Sequence, residues 1–347
     1  MEGINRTETV RLGKTGITVN KNGFGALPIQ RISEKEAIRL LHKALDGGVG
    51  LFDTARFYTD SEAKLGKAFR GMRDKVVITS KTMAANDADF RKDLETTLKN
   101  LQTDYLDVYQ FHNPPFCPKP GDGSGLYEAM TEAVEKGQVR HIGITNHRFA
   151  VAMEAIESGL YETLQFPFSY LSDDKDTLLV EKCKEHDMGF IAMKALAGGL
   201  ITNSRAAYAF LAQYDAVLPI WGVQRENELD EFLSYIGDPP AMNGDVKRFV
   251  EQERKDLKGE FCRGCGYCMP CPVGIEISNC ARMSLLLRRS PAELQLTPEI
   301  QKKMKQIEDC LQCRECSEKC PYQLDTPELL RKNYDDYNNV LSGKIKV

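Results

Sequence analysis

Residues 87–112 read DADFRKDLETTLKNLQTDYLDVYQFH, and the hydrophobic period changes partway through. Up to Leu101 the apolar residues recur at helical spacing, with Phe90, Leu94, Leu98 and Leu101 on one side. DYLDVYQFH then runs as an apolar, β-rich strand that closes on a histidine. The same helix-then-strand unit repeats on both sides. ISEKEAIRLLHKALDGG opens with a capping box of Ser33 and Glu36, places Ile38, Leu41 and Leu45 on one face, and stops at Gly47–Gly48 before the strand VGLFDTA. SEAKLGKAFRG leads to DKVVITSK, LYEAMTEAVEKG to VRHIGITN, FAVAMEAIESG to ETLQFPF, DTLLVEKCKEHD to GFIAMKAL, and AAYAFLAQY to AVLPIWG, with RENELDEFLSYI as a last helix. Counting GFGAL as the first strand gives eight strand–helix units, the signature of an α/β protein built as a parallel (β/α)8 TIM barrel. RLGKTGITVNKNG predicts a hairpin across its bottom. An open doubly wound sheet is the alternative, disfavoured because no G-x-G-x-x-G follows the first strand.

The alternation stops at Ile236. GDPPAMNGD reads as a linker and VKRFVEQERKDLKG as a charged helix, so the expected organisation is a barrel over 1–236, a linker and helix over 237–260, and a thiol-rich domain over 261–347. The 347 residues suffice for one large domain and one smaller one. A formal net charge of -4 argues against nucleic acid or an anionic membrane as partner. The opening MEGINRTETVRLGKTG lacks the apolar core of a signal peptide, and no run approaches the ~18 apolar residues of a membrane span, so the expected location is cytoplasmic. In that reducing compartment clustered cysteines suggest metal ligands rather than disulfides.

Barrel active sites form at the C-terminal ends of the strands. Those ends supply Asp53, Tyr58, Lys81 and His112. A carbonyl that accepts hydride becomes an alkoxide and needs a proton at that moment. An ordinary tyrosine, with a pKa of ~10, is a poor acid at neutral pH, and a neighbouring ammonium held by a carboxylate makes it a better one. A histidine can orient the carbonyl oxygen.

These residues resemble an aldo-keto reductase across roughly residues 9–236. FDTARFY carries the Asp and Tyr of that family, ITSK its lysine, DVYQFH its histidine, IGITNH and LQFPFSYL its two binding signatures, AMKALAGG its seventh-strand turn and RLGKTG its opening hairpin. The resemblance implies an NAD(P)H-dependent oxidoreductase that reduces aldehydes or ketones, or oxidises alcohols. It makes Tyr58 the general acid, tuned by Lys81, with Asp53 paired to Lys81 and His112 positioning the substrate carbonyl. Thr145, Asn146 and Gln165 would hold the nicotinamide, with Lys194 and Arg225 also on the cofactor. Departures gather after the eighth strand, where Glu228 and Phe232 replace the family's Arg and Asn. A carboxylate there suits a free ribose hydroxyl better than a phosphate, which leaves NAD and NADP both open and predicts that NADH is tolerated. Met193 stands where many relatives have a stacking tyrosine. His141, His147, Cys117 and Cys183 read as ordinary structural residues.

The tail carries Cys262, Cys265, Cys268 and Cys271-Pro272, then Cys310, Cys313, Cys316 and Cys320-Pro321. The second run has the bacterial ferredoxin spacing C-x2-C-x2-C-x3-C-P, in which the remote Cys-Pro ligates the other cluster. The expected sites are therefore Cys262, Cys265, Cys268 and Cys320 on one 4Fe-4S cluster, and Cys310, Cys313, Cys316 and Cys271 on a second. The first run is one residue short before Cys271, which leaves Cys280 as its alternative. A zinc site built from four cysteines is the competing reading. The helical stretches between the runs resemble the α-helical type of two-cluster ferredoxin. Eight thiolate bonds would also stabilise a tail too small for a large core. The clusters have two candidate roles: a structural one, in which the tail replaces the loop that covers the family's substrate pocket, and an electron path to a redox partner protein. No flavin motif is present to split an electron pair. An iron–sulfur redox sensor or electron-transfer protein, with a barrel that only binds nucleotide, is the alternative to an enzyme; the complete Asp/Tyr/Lys/His set argues against it.

Overall fold

The computed structural model describes residues 9–257, 261–289 and 292–347. The chain divides into two compact units, one running to Ala195 and resuming over Asn203–Gln252, the other combining Leu196–Thr202 with Glu253–Val347.

The first unit opens with a hairpin, β1 (Thr9–Arg11) antiparallel to β2 (Thr18–Asn20). Eight parallel strands follow and close a barrel: β3 (Gly23–Gly25), β4 (Leu51–Asp53), β5 (Val77–Thr82), β6 (Leu106–His112), β7 (Val139–Thr145), β8 (Thr163–Pro167), β9 (Gly189–Met193) and β10 (Val217–Gly222), with β10 paired to β3. The connecting helices are α1 (Glu34–Asp46), α2 (Ser61–Ala68), α3 (Asp87–Leu101), α4 (Leu126–Glu135), α5 (Phe149–Ser158), α6 (Asp174–Glu185), α7 (Ser204–Leu211) and α8 (Glu226–Leu233), and α9 (Gly244–Asp256) follows. This is the (β/α)8 architecture that the alternation predicts. The barrel strands are largely buried because helices cover one side and the barrel interior the other; all seven residues of β6 are buried. The hairpin plugs the bottom, where Val10, Leu12 and Val19 pack on Leu51, Ile191, Leu218 and Ile220.

Two helices differ in detail from their sequence pattern. The capping box of α1 forms, with Ser33 N donating to Glu36 Oε2 at 3.0 Å and Glu36 N to Ser33 Oγ at 3.3 Å. Its buried face, however, is Ala37, Leu40, Leu41 and Ala44, with Ile38 and Leu45 at the margin. Small alanines occupy the line of closest approach, so the bulkier residues flank it. On α3, capped by Asn86 through Asp89 N at 2.9 Å, Leu98 is marginal and Thr97 is buried instead. The Thr97 hydroxyl has a buried acceptor in Glu62, 2.8 Å away. Gly66 explains why α2 and α3 approach so closely: a Cβ there would sit 2.2 Å from the Asn100 carbonyl oxygen.

The second unit contains the short helices α10 (Ile277–Cys280), α11 (Met283–Arg289), α12 (Ala292–Gln295), α13 (Pro298–Lys305) and α14 (Glu315–Glu318), and the long α15 (Thr326–Leu341). Leu330, Tyr337 and Val340 of α15 form one core with Ile275, Ile277, Met283, Leu287, Met304 and Ile307. Among the described residues no helix is long and apolar enough to cross a membrane.

Candidate active site and thiol-lined cavities

The strand ends bring the expected residues together. Asp53 ends β4, Lys81 lies near the end of β5 and His112 ends β6. Lys81 Nζ donates to Asp53 Oδ2 at 2.7 Å and to the Thr54 carbonyl at 2.6 Å, with both charged side chains almost wholly buried. Burial lowers the Lys81 pKa, and the Asp53 carboxylate opposes that shift. Tyr58, half-buried in the loop after β4, meets His112 edge-on with ring centroids 5.8 Å apart. Lys81 Nζ lies 5.3 Å from the centre of the Tyr58 ring. Burial, with the charges of Lys81 and Lys194, pushes His112 down to about 3, so its imidazole is neutral across the physiological range. His147 is lowered for the same first reason.

The cofactor candidates divide. Gln165, on β8, donates to Asp53 Oδ2 at 3.3 Å and accepts from Gln110 Nε2 at 3.0 Å. Asn146 donates to the Pro114 carbonyl at 2.9 Å, while its Oδ1 accepts from His147 N and Arg148 N, each at 2.9 Å. Thr145 ends β7 wholly buried, and among the described residues its hydroxyl has no hydrogen-bond partner. Lys194 follows β9 with a positive φ of 54° and is close enough to His112 to contribute to its lowered pKa. Arg225 stands apart at the start of α8, exposed, 3.6 Å from Glu228. Glu228 itself accepts from Gln224 N and Arg225 N, both at 3.1 Å, so its carboxylate caps the helix. Phe232 is turned into the core, stacked on Trp221 at 4.3 Å.

Three polar residues of this interior escape a reading of motifs alone. Thr79 donates to Asp53 Oδ1 at 2.6 Å, and Gln110 reaches the same oxygen at 3.5 Å. Each lies two residues before a predicted site residue on the same strand, so the two-residue period of a strand places it on the same inward face. The third is Glu62, discussed below. His141 pairs with Glu162 at 2.9 Å, and Cys117 and Cys183 are buried thiols.

In the second unit the thiols sort into two groups. One cavity is lined by Cys262, Cys265, Cys268 and Cys320. Another is lined by Cys271, Cys310, Cys313 and Cys316, with Cys268 and Ile277 shared between the two. Among the described residues no three metal-ligating side chains converge as a single-ion site requires; the thiols ring volumes instead. Cys280 lines neither cavity. It is buried in α10, and its Sγ faces the Lys303 carbonyl at 3.7 Å.

Comparison with known proteins adds an independent line. The chain matches the Aldo/keto reductase family over residues 21–210 and the 4Fe-4S dicluster domain over residues 261–325. It is 30% identical to aldo-keto reductase YhdN of Bacillus subtilis over 56% of this chain and 64% of that protein. It is 29% identical to L-galactose dehydrogenase of Arabidopsis thaliana over 57% of this chain and 68% of that one. The chain thus spans about two thirds of the length of these curated relatives. In fold it is similar to an aldo-keto reductase of Klebsiella pneumoniae solved in complex with NADPH, with a TM-score of 0.61, 22% identity, and coverage of 71% of this chain and 94% of that one.

Proposed function

The chain belongs to the aldo/keto reductase family, and from that footing we propose that its barrel reduces an aldehyde or ketone with NADH or NADPH, Tyr58 giving the proton. One observation carries this reading: the buried Lys81–Asp53 pair at 2.7 Å, with the ammonium 5.3 Å from the Tyr58 ring centre. As the phenol proton moves to the carbonyl oxygen, negative charge builds on Tyr58, and a fixed ammonium in a dry site stabilises it. Asp53 holds Lys81 charged against its burial, and Thr79, Gln110 and Gln165 hold Asp53. His112, neutral above about pH 3, is no proton source at working pH; it serves as a hydrogen-bonding group that seats the carbonyl oxygen beside Tyr58.

A bound nicotinamide nucleotide supplies the hydride. The buried Thr145 hydroxyl, without a hydrogen-bond partner among the described residues, and the amides of Asn146 and Gln165 offer the polar groups a carboxamide needs. At the adenosine end, Glu228 already occupies the backbone N–H groups at the start of α8 that could otherwise bind a phosphate. NADH should therefore be used with NADPH favoured by less than about a hundredfold in kcat/KM, a ratio worth about 2.7 kcal/mol. A larger preference for NADPH rejects that part.

The thiol groups fit two 4Fe-4S clusters, because Cys262, Cys265, Cys268 and Cys320 line one cavity and Cys271, Cys310, Cys313 and Cys316 the other, with Cys268 bordering both. A cluster exchanges single electrons when bound. The reading we favour makes the clusters the structural centre of the tail. Shared lining by Cys268 and Ile277 favours a second reading, electron passage between the sites towards a partner protein. Thiolate ligands fit a reducing compartment, so we place the protein in the cytoplasm.

The test is steady-state reduction of a simple aldehyde by the anaerobically purified protein. Tyr58→Phe should lower kcat by about 10²- to 10⁴-fold while nucleotide still binds. Retained turnover would remove the proton-donor assignment, and absence of any turnover in the parent would return the nucleotide-binding sensor.

A further inference from the structure

Glu62, in the first turn of α2, is only 1% exposed yet carries a carboxylate with four donors. Ser80 Oγ and Thr97 Oγ1 reach its Oε1, each at 2.8 Å. Arg56 Nη1 at 2.8 Å and Asn100 Nδ2 at 3.2 Å reach its Oε2. Burying a carboxylate costs several kcal/mol, which makes an ion here a poor choice for packing alone. The arrangement has a more specific consequence. Arg56 and Glu62 flank Tyr58, so their ion pair closes the segment that carries it into a loop.

Between those ends the backbone turns on itself, with Tyr58 N donating to the Ala55 carbonyl at 3.0 Å and Ser61 N to the Tyr58 carbonyl at 2.8 Å. Phe57 is 69% exposed, Thr59 sits at a φ of 38°, and Thr59 Oγ1 makes exposed bonds to Gln30 at 3.1 Å and Asp60 at 3.4 Å. The ends, by contrast, are tied to the scaffold. Arg56 N donates to the Lys81 carbonyl at 3.0 Å. Ser61 Oγ bonds Thr54 Oγ1 at 2.8 Å and the Ala26 carbonyl at 2.9 Å. Glu62 joins both ends to Ser80, the residue before Lys81 on β5, and to α3, which the Gly66 contact brings within reach.

We propose that Glu62 and Arg56 act as an ionic staple that positions Tyr58 over Lys81. Neither touches the reacting atoms; both are positioning residues, and the proposal rests on the reading of Tyr58 as proton donor. Positional error at a reacting group is expensive, a shift of about 1 Å costing up to a hundredfold in rate.

Arg56→Gln and Glu62→Gln should each lower kcat by about ten- to a hundredfold, with KM for the nucleotide changed by less than about twofold. Arg56→Lys should recover most of the lost rate, because a single bond to Glu62 can be made by an ammonium. Amide hydrogen exchange over residues 56–61 should quicken in both Gln variants and return towards the parent in Arg56→Lys. If Glu62→Gln does not fold, Arg56→Gln decides alone, since Arg56 is partly exposed. Unchanged kcat in folded Arg56→Gln, or exchange no faster than in the parent, overturns the staple. Should Tyr58→Phe keep full activity, the proton-donor reading fails separately, and the exchange measurement still decides whether the staple exists.

Discussion

The two units stabilise themselves by different means. In the barrel, Trp221, Tyr109, Tyr161, Tyr170, Phe24 and Phe52 are fully buried, and the Lys81–Asp53 pair is held by hydrogen bonds from Thr79, Gln110 and Gln165 on three strands. In the second unit Tyr337 is the one aromatic among the largest fully buried side chains of the described residues, the helices α10, α12 and α14 are single turns, and its thiols surround cavities rather than one another. If the clusters are the structural centre of the tail, the barrel carries its chemistry on a finished scaffold whereas the tail needs a bound group to complete its core. Small domains commonly rely on metal in this way.

The largest expected effect breaks that comparison outright if it fails. Removing iron by anaerobic chelation should unfold the second unit, costing its whole stability of about 5 kcal/mol or more. Followed by hydrogen exchange, peptides from residues 261–347 should lose protection while those of β3 to β10 keep theirs. Cys313→Ser should weaken the tail in the same direction, with the iron-dependent electron spin resonance signal reduced. A tail that stays protected without iron would show that its apolar core suffices.

A smaller effect is expected inside the barrel. Lys81→Met leaves the Asp53 charge buried without its cation, which should cost about 3–5 kcal/mol, read as a lower Tm. Pairing it with Asp53→Leu should restore much of the stability and none of the activity. If the single variant is as stable as the parent, the pair is not a buried ionic unit.

Smaller still is a pH effect. Unfolded histidine titrates near 6.5, but burial and the Lys81 and Lys194 charges push His112 down to about 3. Between those values the unfolded chain takes up a proton that the folded chain refuses. The contribution of His112 to stability is therefore complete above about pH 6.5 and is lost as pH falls towards 3, with a slope of at most about 1.4 kcal/mol per pH unit. His147 shifts in the same direction, so the informative quantity is the difference between the parent and His112→Gln. No difference in slope between them would place His112 in water.

Much of this was legible in the chain because its signals are local. Eight repeats of a period change define the barrel, and Asp53, Lys81 and His112 are marked by their place at strand ends. The sequence pattern erred where packing depends on a neighbour. Thr97 replaces Leu98 on the buried face of α3 because Glu62, distant in sequence, offers its hydroxyl an acceptor. Glu228 and Arg225, which the sequence places at the cofactor's adenosine end, follow β10, where Glu228 accepts from Gln224 N and Arg225 N and lies 3.6 Å from the Arg225 guanidinium.

The smallest expected effect concerns Cys280, which the sequence alone leaves as an alternative to Cys271. The shortened spacing before Cys271 does not keep that residue from the second cavity, since a tight segment with Pro270 and Pro272 lines the same wall. Cys280 instead lies inside α10, 1% exposed and outside the lining of both cavities. A thiol so placed packs as a small apolar side chain. Cys280→Ala should therefore leave iron and sulfide per chain unchanged and cost about 1 kcal/mol for the space it leaves. Cys271→Ala should lower the iron content towards half. Equal iron loss in the two variants would mean that Cys280 binds metal after all, and that the grouping of thiols around the two cavities is not the grouping of ligands.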